Sequence, residues 1–423
     1  MRPSSLRTAL LAALLLLPAA TLAQAEAATE PAPEPVAEAP HEASETDRKL
    51  EILAAEIERL RLGEVAPSAT QRKFGLGPAA SKVYQAERGV SLGGYGEMLY
   101  QNELDSDGTD VFDFYRNILY AGYKFDDRFV LNTEIEIEHI SEVFLEFAYL
   151  DFLWRPELNV RAGLLLVPMG IINELHEPTT FLPALRPETE RRIIPSTWRE
   201  NGVGLFGDLG PVSYRAYLIN GMDGTGFGGT GGLRGGRQKG AKALANDFGV
   251  VFRADYVGLD GLLVGGSVYY GGADQGQLDT QVTNLVYEGH VDFGWRGLKL
   301  RALYAGAQVG GALELSDLRA VDGDAPVGET MSGFYAEAGY DLLSLVEGTR
   351  LSLSPYVRYE RLNTQQTMPS GYPADPASDR EFLTLGLAFA PIEQVAVKAE
   401  WQRHTDAGGA DDSTLNLLLG YIF

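Results

Sequence analysis

Arg186, Arg191, Arg192 and Arg199 fall close together in the stretch 168–200, PMGIINELHEPTTFLPALRPETERRIIPSTWRE. A guanidinium donates in a planar fork that matches a carboxylate or a phosphate, so four in one stretch predict recognition of small anions. The same stretch holds Ile171, Ile172, Leu175, Phe181, Leu182, Leu185, Ile193, Ile194 and Trp198, all of which call for burial. It has no period-2 alternation, and connections longer than roughly 12 to 15 residues are usually functional or disordered. Its apolar content argues against disorder. The stretch is therefore expected to fold into a large, wet cavity, with Arg186, Arg191, Arg192 and Arg199 as the candidate constriction.

A second basic group, Arg234, Arg237, Lys239 and Lys242, lies in the glycine-rich stretch 221–246. It could steer anions toward a channel mouth, or grip lipopolysaccharide phosphates or a neighbouring subunit. Gly226, Gly228 and Gly231 match G-x-G-x-x-G, but no helix is expected to follow, so the match carries no phosphate site. Other chemistry finds little support. With no cysteine there is neither a disulfide framework nor a thiolate metal site. His41, His139, His176, His290 and His404 lack metal-ligand spacing, and no G-x-S-x-G elbow is present. The chain reads as a non-enzyme without cofactor or metal. A Ser–His pair across a barrel wall, as in an outer-membrane phospholipase, is the catalytic alternative. A formal net charge of -23 argues against nucleic-acid binding.

The elements that must position these residues are strands. From residue 89 onward hydrophobicity alternates with period 2, predicting sixteen strands, the first at 89–102 and the last at 413–423. Short turns alternate with long loops, the arrangement of a barrel inserted from the periplasm, with one exception at the very short external turn near Ile140 and Ser141. The fold class expected is all-β: a 16-stranded antiparallel transmembrane β-barrel with an inward-folded third external loop, preceded by a short helical coiled-coil segment. In the last strand Leu415, Leu417, Leu419, Tyr421 and Phe423 share the lipid face, and Thr414, Asn416, Leu418 and Gly420 the lumen face.

Sixteen strands leave an aqueous channel. Strand parity turns Arg116, Arg161, Arg215, Arg253, Lys299, Arg301, Arg350, Arg358 and Lys398 toward the lumen, and Glu134, Glu136 and Glu138 as a carboxylate stripe with them. These predict a charged translocation path; the plainer reading is a solvated polar interior.

Ahead of the barrel, residues 1–23 read as a signal peptide, with Arg2 and Arg7 before an apolar run that ends at Pro18. Residues 24–45 are an acidic Ala/Pro/Glu linker. Residues 46–62 carry Leu50, Leu53, Ile57 and Leu60 as a short coiled-coil seam, and 63–88 read as a further linker. The barrel is expected over 89–423.

Across most of 89–423 the chain resembles the phosphate-selective porin O and P family. The likeness rests on GGYGEMLY at 93–100, GLLLVPMGIINELHEPTTF at 163–181, ERRIIPSTWRENGVGLFG at 190–207 and LRGGRQKG at 233–240. The resemblance implies a trimeric outer-membrane channel whose third external loop makes the constriction, with an anion route lined by arginines and lysines. The chain departs from that pattern at its first strand, which carries Glu97 and no basic residue up to Tyr100, and at the third strand with its three glutamates.

The function expected is passive diffusion of small hydrophilic solutes, biased toward phosphate or other small anions. The alternatives are a cation-preferring or nonselective pore, favoured by Asp105, Asp107, Asp110, Asp411 and Asp412 in the external loops, and a structural or adhesive envelope protein. Outer-membrane lipid, lipopolysaccharide and two further copies of the chain are the partners this implies, with the linker and coiled coil in the periplasm of a Gram-negative cell.

Overall fold

Alternating side chains, with apolar residues on one face and polar ones on the other, force each strand to present two solvents, and the chain satisfies both by closing on itself. A computed structural model of the protein describes residues 72–105 and 108–423. The expected signal peptide, acidic linker and coiled coil lie outside the described residues.

The wall begins with β1 (Gly89–Glu103), β2 (Val111–Lys124), β3 (Phe129–Glu138), β4 (Glu142–Arg155) and β5 (Leu158–Leu166). It continues with β6 (Arg199–Leu209), β7 (Val212–Asn220), β8 (Phe248–Leu259), β9 (Leu262–Gly272), β10 (Thr283–Trp295) and β11 (Leu298–Gly310). It ends with β12 (Thr330–Tyr340), β13 (Ser352–Thr367), β14 (Asp379–Ile392), β15 (Val395–Asp406) and β16 (Asp411–Ile422). Each strand pairs with its sequence neighbours, and β1 pairs antiparallel with β16 from Tyr95 opposite Ile422 to Glu103 opposite Thr414. Closure removes the unpaired edges that an open sheet would expose, so the wall's backbone groups can pair from strand to strand without water.

The outer face carries an apolar band. Val250, Phe252, Val264, Val268, Leu383 and Leu385 are exposed along it. Aromatic residues bound the band: Tyr123, Phe125, Phe129, Trp154, Tyr256 and Trp295 at the rim of short turns, Phe112, Phe248 and Tyr270 toward the rim of long loops. At the turn rim Arg155 lies 4.2 Å from the Trp154 ring and Arg296 4.9 Å from that of Trp295. This is the belt of a lipid-embedded barrel. In β16 Asn416, Leu418, Gly420 and Ile422 turn inward while Leu419 faces out.

Two segments fill the interior. The first is the long connection 167–198 between β5 and β6, called L3 below. It contains one helical turn, α1 (Glu188–Arg192), and buries Ile171, Ile172, Leu175, Phe181, Leu182, Ile193, Ile194 and Trp198. The second is 72–88, the described part of the segment read as a linker: Leu76, Ala79, Ala80, Val83 and Tyr84 are buried in the same apolar cluster as Met169, Ile171 and Trp198. A strap with Phe74, Leu76, Val83 and Tyr84 has more to bury than a solvated linker, and the lumen is where it does so.

The strap crosses the barrel near the turn rim. Arg72 sits 3.5 Å from Asp292 of β10, Asn132 of β3 donates to the Ala80 carbonyl (3.0 Å), and the Tyr84 hydroxyl donates to Asp151 of β4 (2.6 Å). Gly75, with φ +85°, has no room for a Cβ beside the Arg215 guanidinium and the Glu174 carboxylate. One further helix, α2 (Ala312–Asp322), lies in the loop between β11 and β12 and was not foreseen from the sequence.

Candidate functional site

L3 has a buried backbone but no sheet partner, so its peptide groups need side chains to bond to. The wall supplies them. Arg253 of β8 donates to the Gly170 carbonyl, and Arg301 of β11 to that of Thr180 (3.0 Å). Lys398 of β15 donates to Phe181 (2.8 Å) and Pro183 (2.9 Å), and Arg358 of β13 to Leu185 (2.8 Å). Carboxylates take the amides: the wall's Glu400 accepts from Ala184 N–H (2.7 Å) and Glu360 from Thr189 N–H, while within L3 Glu190 accepts from Ile172 N–H (2.8 Å). From the strap, Ala79 and Ala80 donate to Glu177 at 3.1 and 3.0 Å.

This changes the role of the lumen cations read from strand parity. Arg253, Arg358 and Lys398 do point inward, but they hold loop carbonyls instead of lining an open path, and Arg301 both holds a carbonyl and lines the turn-side cavity. Arg161 is bound to Asp151 (2.8 Å) and to the Tyr84 hydroxyl (3.0 Å), and Arg215 to Asp255. Lys299 lines a turn-side cavity. Arg350 does not belong to the wall: it precedes β13 in the turn after β12 and is exposed. The turn residues carry their own hydrogen-bonding pattern, which parity counted from β13 cannot extend into.

What remains open on the loop side is a cavity of about 440 Å³. It brings together three of the four candidate constriction arginines, Arg186, Arg191 and Arg199, with three of the four glycine-rich-loop cations, Arg234, Arg237 and Lys239. Arg116 of β2 joins them, and Glu97, Asp113, Glu136, Glu138, Glu146 and Glu188 are the acids of the same lining. Arg192 faces elsewhere, donating to the Thr230 carbonyl (2.9 Å), and Lys242 is exposed beyond the cavity.

Partners decide which cations present a net field. Arg116 lies 3.3 Å from Glu97, 3.7 Å from Glu136 and 3.3 Å from Glu138. Arg199 is paired with Glu146 (3.0 Å), and Arg191 and Arg192 with Glu188 at 2.8 and 2.5 Å. Burial pushes the Glu188 carboxyl up, but Arg191 and Arg192 outweigh it and hold the group below its ordinary value. Arg186 donates to the His176 carbonyl (3.5 Å), and Arg234 to the carbonyls of Arg191 (3.3 Å) and Ser196. Arg237 donates to those of Arg234 (3.0 Å), Pro195 (3.3 Å) and Thr197 (2.8 Å). Among the described residues Arg186, Arg234, Arg237 and Lys239 form no ion pair. Burial, then Arg237 and Arg191, disfavours the Arg234 charge and lowers its pKa.

On the turn side a second cavity, about 630 Å³, is lined by Arg72, Asp292, Lys299, Arg301 and Glu337. Phe181 lines both cavities, with Lys398 Nζ 4.0 Å from its ring centre. The segment from Thr180 to Leu185 thus lies between the two openings, clamped by Arg301, Lys398, Arg358 and Glu400. Sequence reading did not foresee this clamp. Lys398 and Glu400, two apart on one strand face, were its available signal.

No family model matches the chain. Among solved structures, it is similar to OmpF of Salmonella typhi (TM-score 0.55, 13% identity, 80% of this chain and 98% of that one). It is also similar to a loop-L8 deletion mutant of OmpT, an outer-membrane protein of Vibrio cholerae (0.53, 11%, 80% and 100%). A third is the anion-selective porin of Comamonas acidovorans (0.51, 12%, 80% and 100%). Identities this low speak for the fold alone. A relative from Aquifex aeolicus, described as an uncharacterized protein, is 37% identical over 382 residues, 86% of this chain and 87% of its own length. The chain belongs to the family of that Aquifex aeolicus protein, built on a porin-like closed barrel of sixteen antiparallel strands.

Proposed function

We propose that the protein is an outer-membrane porin through which small hydrophilic solutes diffuse passively, with a bias toward phosphate or other small anions. The observation that carries this reading is the convergence of Arg186, Arg234, Arg237 and Lys239 on one loop-side cavity without a carboxylate partner among the described residues. An anion reaching that cavity replaces solvent around cations that repel one another, and each guanidinium fork can grip two oxygens. Phe181 and its clamped neighbours form the narrowing, with the strap as a second layer toward the turns. Catalysis has no part in this reading. The stretches that resemble phosphate-selective porins O and P fall on β1, β5, L3, β6 and the basic loop, and the resemblance supports the same proposal. A homotrimeric assembly, contact of the basic loop with lipopolysaccharide, and a periplasmic coiled coil at 46–62 belong to the same proposal.

A cation-preferring pore is the second reading, favoured by Glu97, Glu136 and Glu138, which face the single Arg116. The reversal potential of the reconstituted protein across a KCl gradient separates the two. An anion-selective sign that weakens when phosphate is added supports the first; a cation-selective sign overturns it. Absence of conductance would favour a structural envelope role.

A further inference from the structure

The histidines show no ligand spacing along the chain, yet folding brings one of them onto two carboxylates. His176 of L3, Glu134 of β3 and Glu146 of β4 each place a donor atom within 4.8 Å of the others, and all three residues are buried. We propose that they bind one divalent transition-metal ion, which ties L3 to the barrel wall. This site goes beyond the porin reading and does not rest on it.

Distance is the first argument. His176 Nε2 lies 3.2 Å from Glu134 Oε1 and 3.7 Å from Glu146 Oε2. One ring proton can serve the nearer oxygen, while the farther one is beyond hydrogen-bond reach. A tetrahedral ion roughly 2.0 to 2.2 Å from each ligand sets neighbouring ligand atoms about 3.3 to 3.6 Å apart, and the two separations bracket that range.

The second argument is the tautomer. His176 Nδ1 lies 3.1 Å from the Asn173 carbonyl, so an Nδ1–H donates there and Nε2 is the nitrogen turned to the carboxylates, where a metal can replace its proton. Metal-bound histidines are held in this way by an outer partner. Asn173 is itself fixed, donating to the carbonyls of Val167 (2.6 Å) and Trp198 (2.9 Å).

Third, Glu134 Oε2 is buried with no hydrogen-bond partner. An ionised oxygen in that position is costly unless something positive meets it. Arg199 occupies Glu146 Oε1 and leaves Oε2 turned to the histidine.

Charge makes the fourth. Glu97, Glu134, Glu136, Glu138 and Glu146 are linked by ion pairs to Arg116, Arg199 and His176. Acidic side chains outnumber basic ones five to three in this network, four of the five acids are buried, and a divalent ion would meet the carboxylates nearest His176. An imidazole with two carboxylates suits Zn²⁺, Mn²⁺ or Fe²⁺ better than an all-oxygen ion such as Ca²⁺. The ion would arrive through the loop-side cavity, whose lining includes Glu146, and any proton on Nε2 leaves to solvent as the bond forms.

The test uses the folded full chain in detergent, stripped with a chelator and titrated with Zn²⁺ by calorimetry and with Co²⁺ by visible absorption. One ion per chain is expected. His176→Ala and Glu134→Gln should each weaken binding by more than about tenfold, the loss that even an outer-shell partner commonly causes. Glu393→Gln, in the exposed turn after β14, should leave binding unchanged. Zn²⁺-soaked crystals of the unmodified chain should show one anomalous peak among His176, Glu134 and Glu146. Failure of the unmodified chain to bind saturably, a peak elsewhere, or undiminished binding by His176→Ala would overturn the proposal. If both variants fail to fold, the anomalous map decides.

Discussion

At the scale of single residues, the partner matters more than the charge. Arg234 and Arg237 donate only to carbonyls among the described residues, so no paired carboxylate neutralises either of them at the cavity. Replacing both by Glu is expected to move the reversal potential toward cation selectivity, whereas replacing both by Lys should keep the sign and weaken phosphate block through loss of the fork. Glu188 works in the opposite direction. Its folded pKa lies below the ordinary 4.5, so its pairing with Arg191 and Arg192 is fully present above that value and lost as pH falls through the depressed one. Acidification through that depressed value should therefore unmask two guanidiniums and increase anion preference. In Glu188→Gln that low-pH increase should be absent.

Elements show how an interior can be polar and still occupied. L3 keeps its irregular backbone inside the barrel because Arg253, Arg301, Arg358 and Lys398 take its carbonyls and Glu190, Glu360 and Glu400 its amides. Lys398→Met leaves the carbonyls of Phe181 and Pro183 without a donor. A buried acceptor left unpaired costs about 1 to 3 kcal/mol, so this variant should unfold earlier and give noisier single channels. Lumen polarity unrelated to the loop would leave the noise unchanged. The strap is the second such element, joined to L3 through Glu177. Deleting 72–84 should raise single-channel conductance by removing the lower layer; an unchanged conductance would place the narrowing wholly at Phe181.

The whole molecule is governed by two solvents. Val268, exposed to 42% on the outer band of β9, should not tolerate Arg. The cost near a bilayer midplane is roughly 2 to 4 kcal/mol, readable as poorer folding into lipid vesicles. Assembly adds the segment ahead of the strap. If residues 46–62 form a coiled coil that holds three copies, their deletion should lower the temperature at which trimers dissociate on a semi-native gel. Trimers that persist to the same temperature would remove that role.

What the sequence determined by itself was the wall. Period-2 alternation from Gly89 to Phe423 encodes inward and outward faces locally, residue by residue, and the alternation of short turns with long loops encodes the order of the strands. The basic and apolar mixture of L3 likewise marked a segment that must bury its apolar residues, as Ile171, Ile194 and Trp198 are buried. What only the tertiary structure decided was pairing across the lumen. Lys398 reaches Phe181, Arg358 reaches Leu185, and Ala79 reaches Glu177, contacts between residues remote in sequence that no period records. Arg192 and Arg237 read alike in the chain, yet one is matched by Glu188 and turned away while the other faces the cavity unpaired. The strap was illegible for the same reason: whether Leu76 and Tyr84 are buried depends on a cavity that exists only once the sixteen strands have closed.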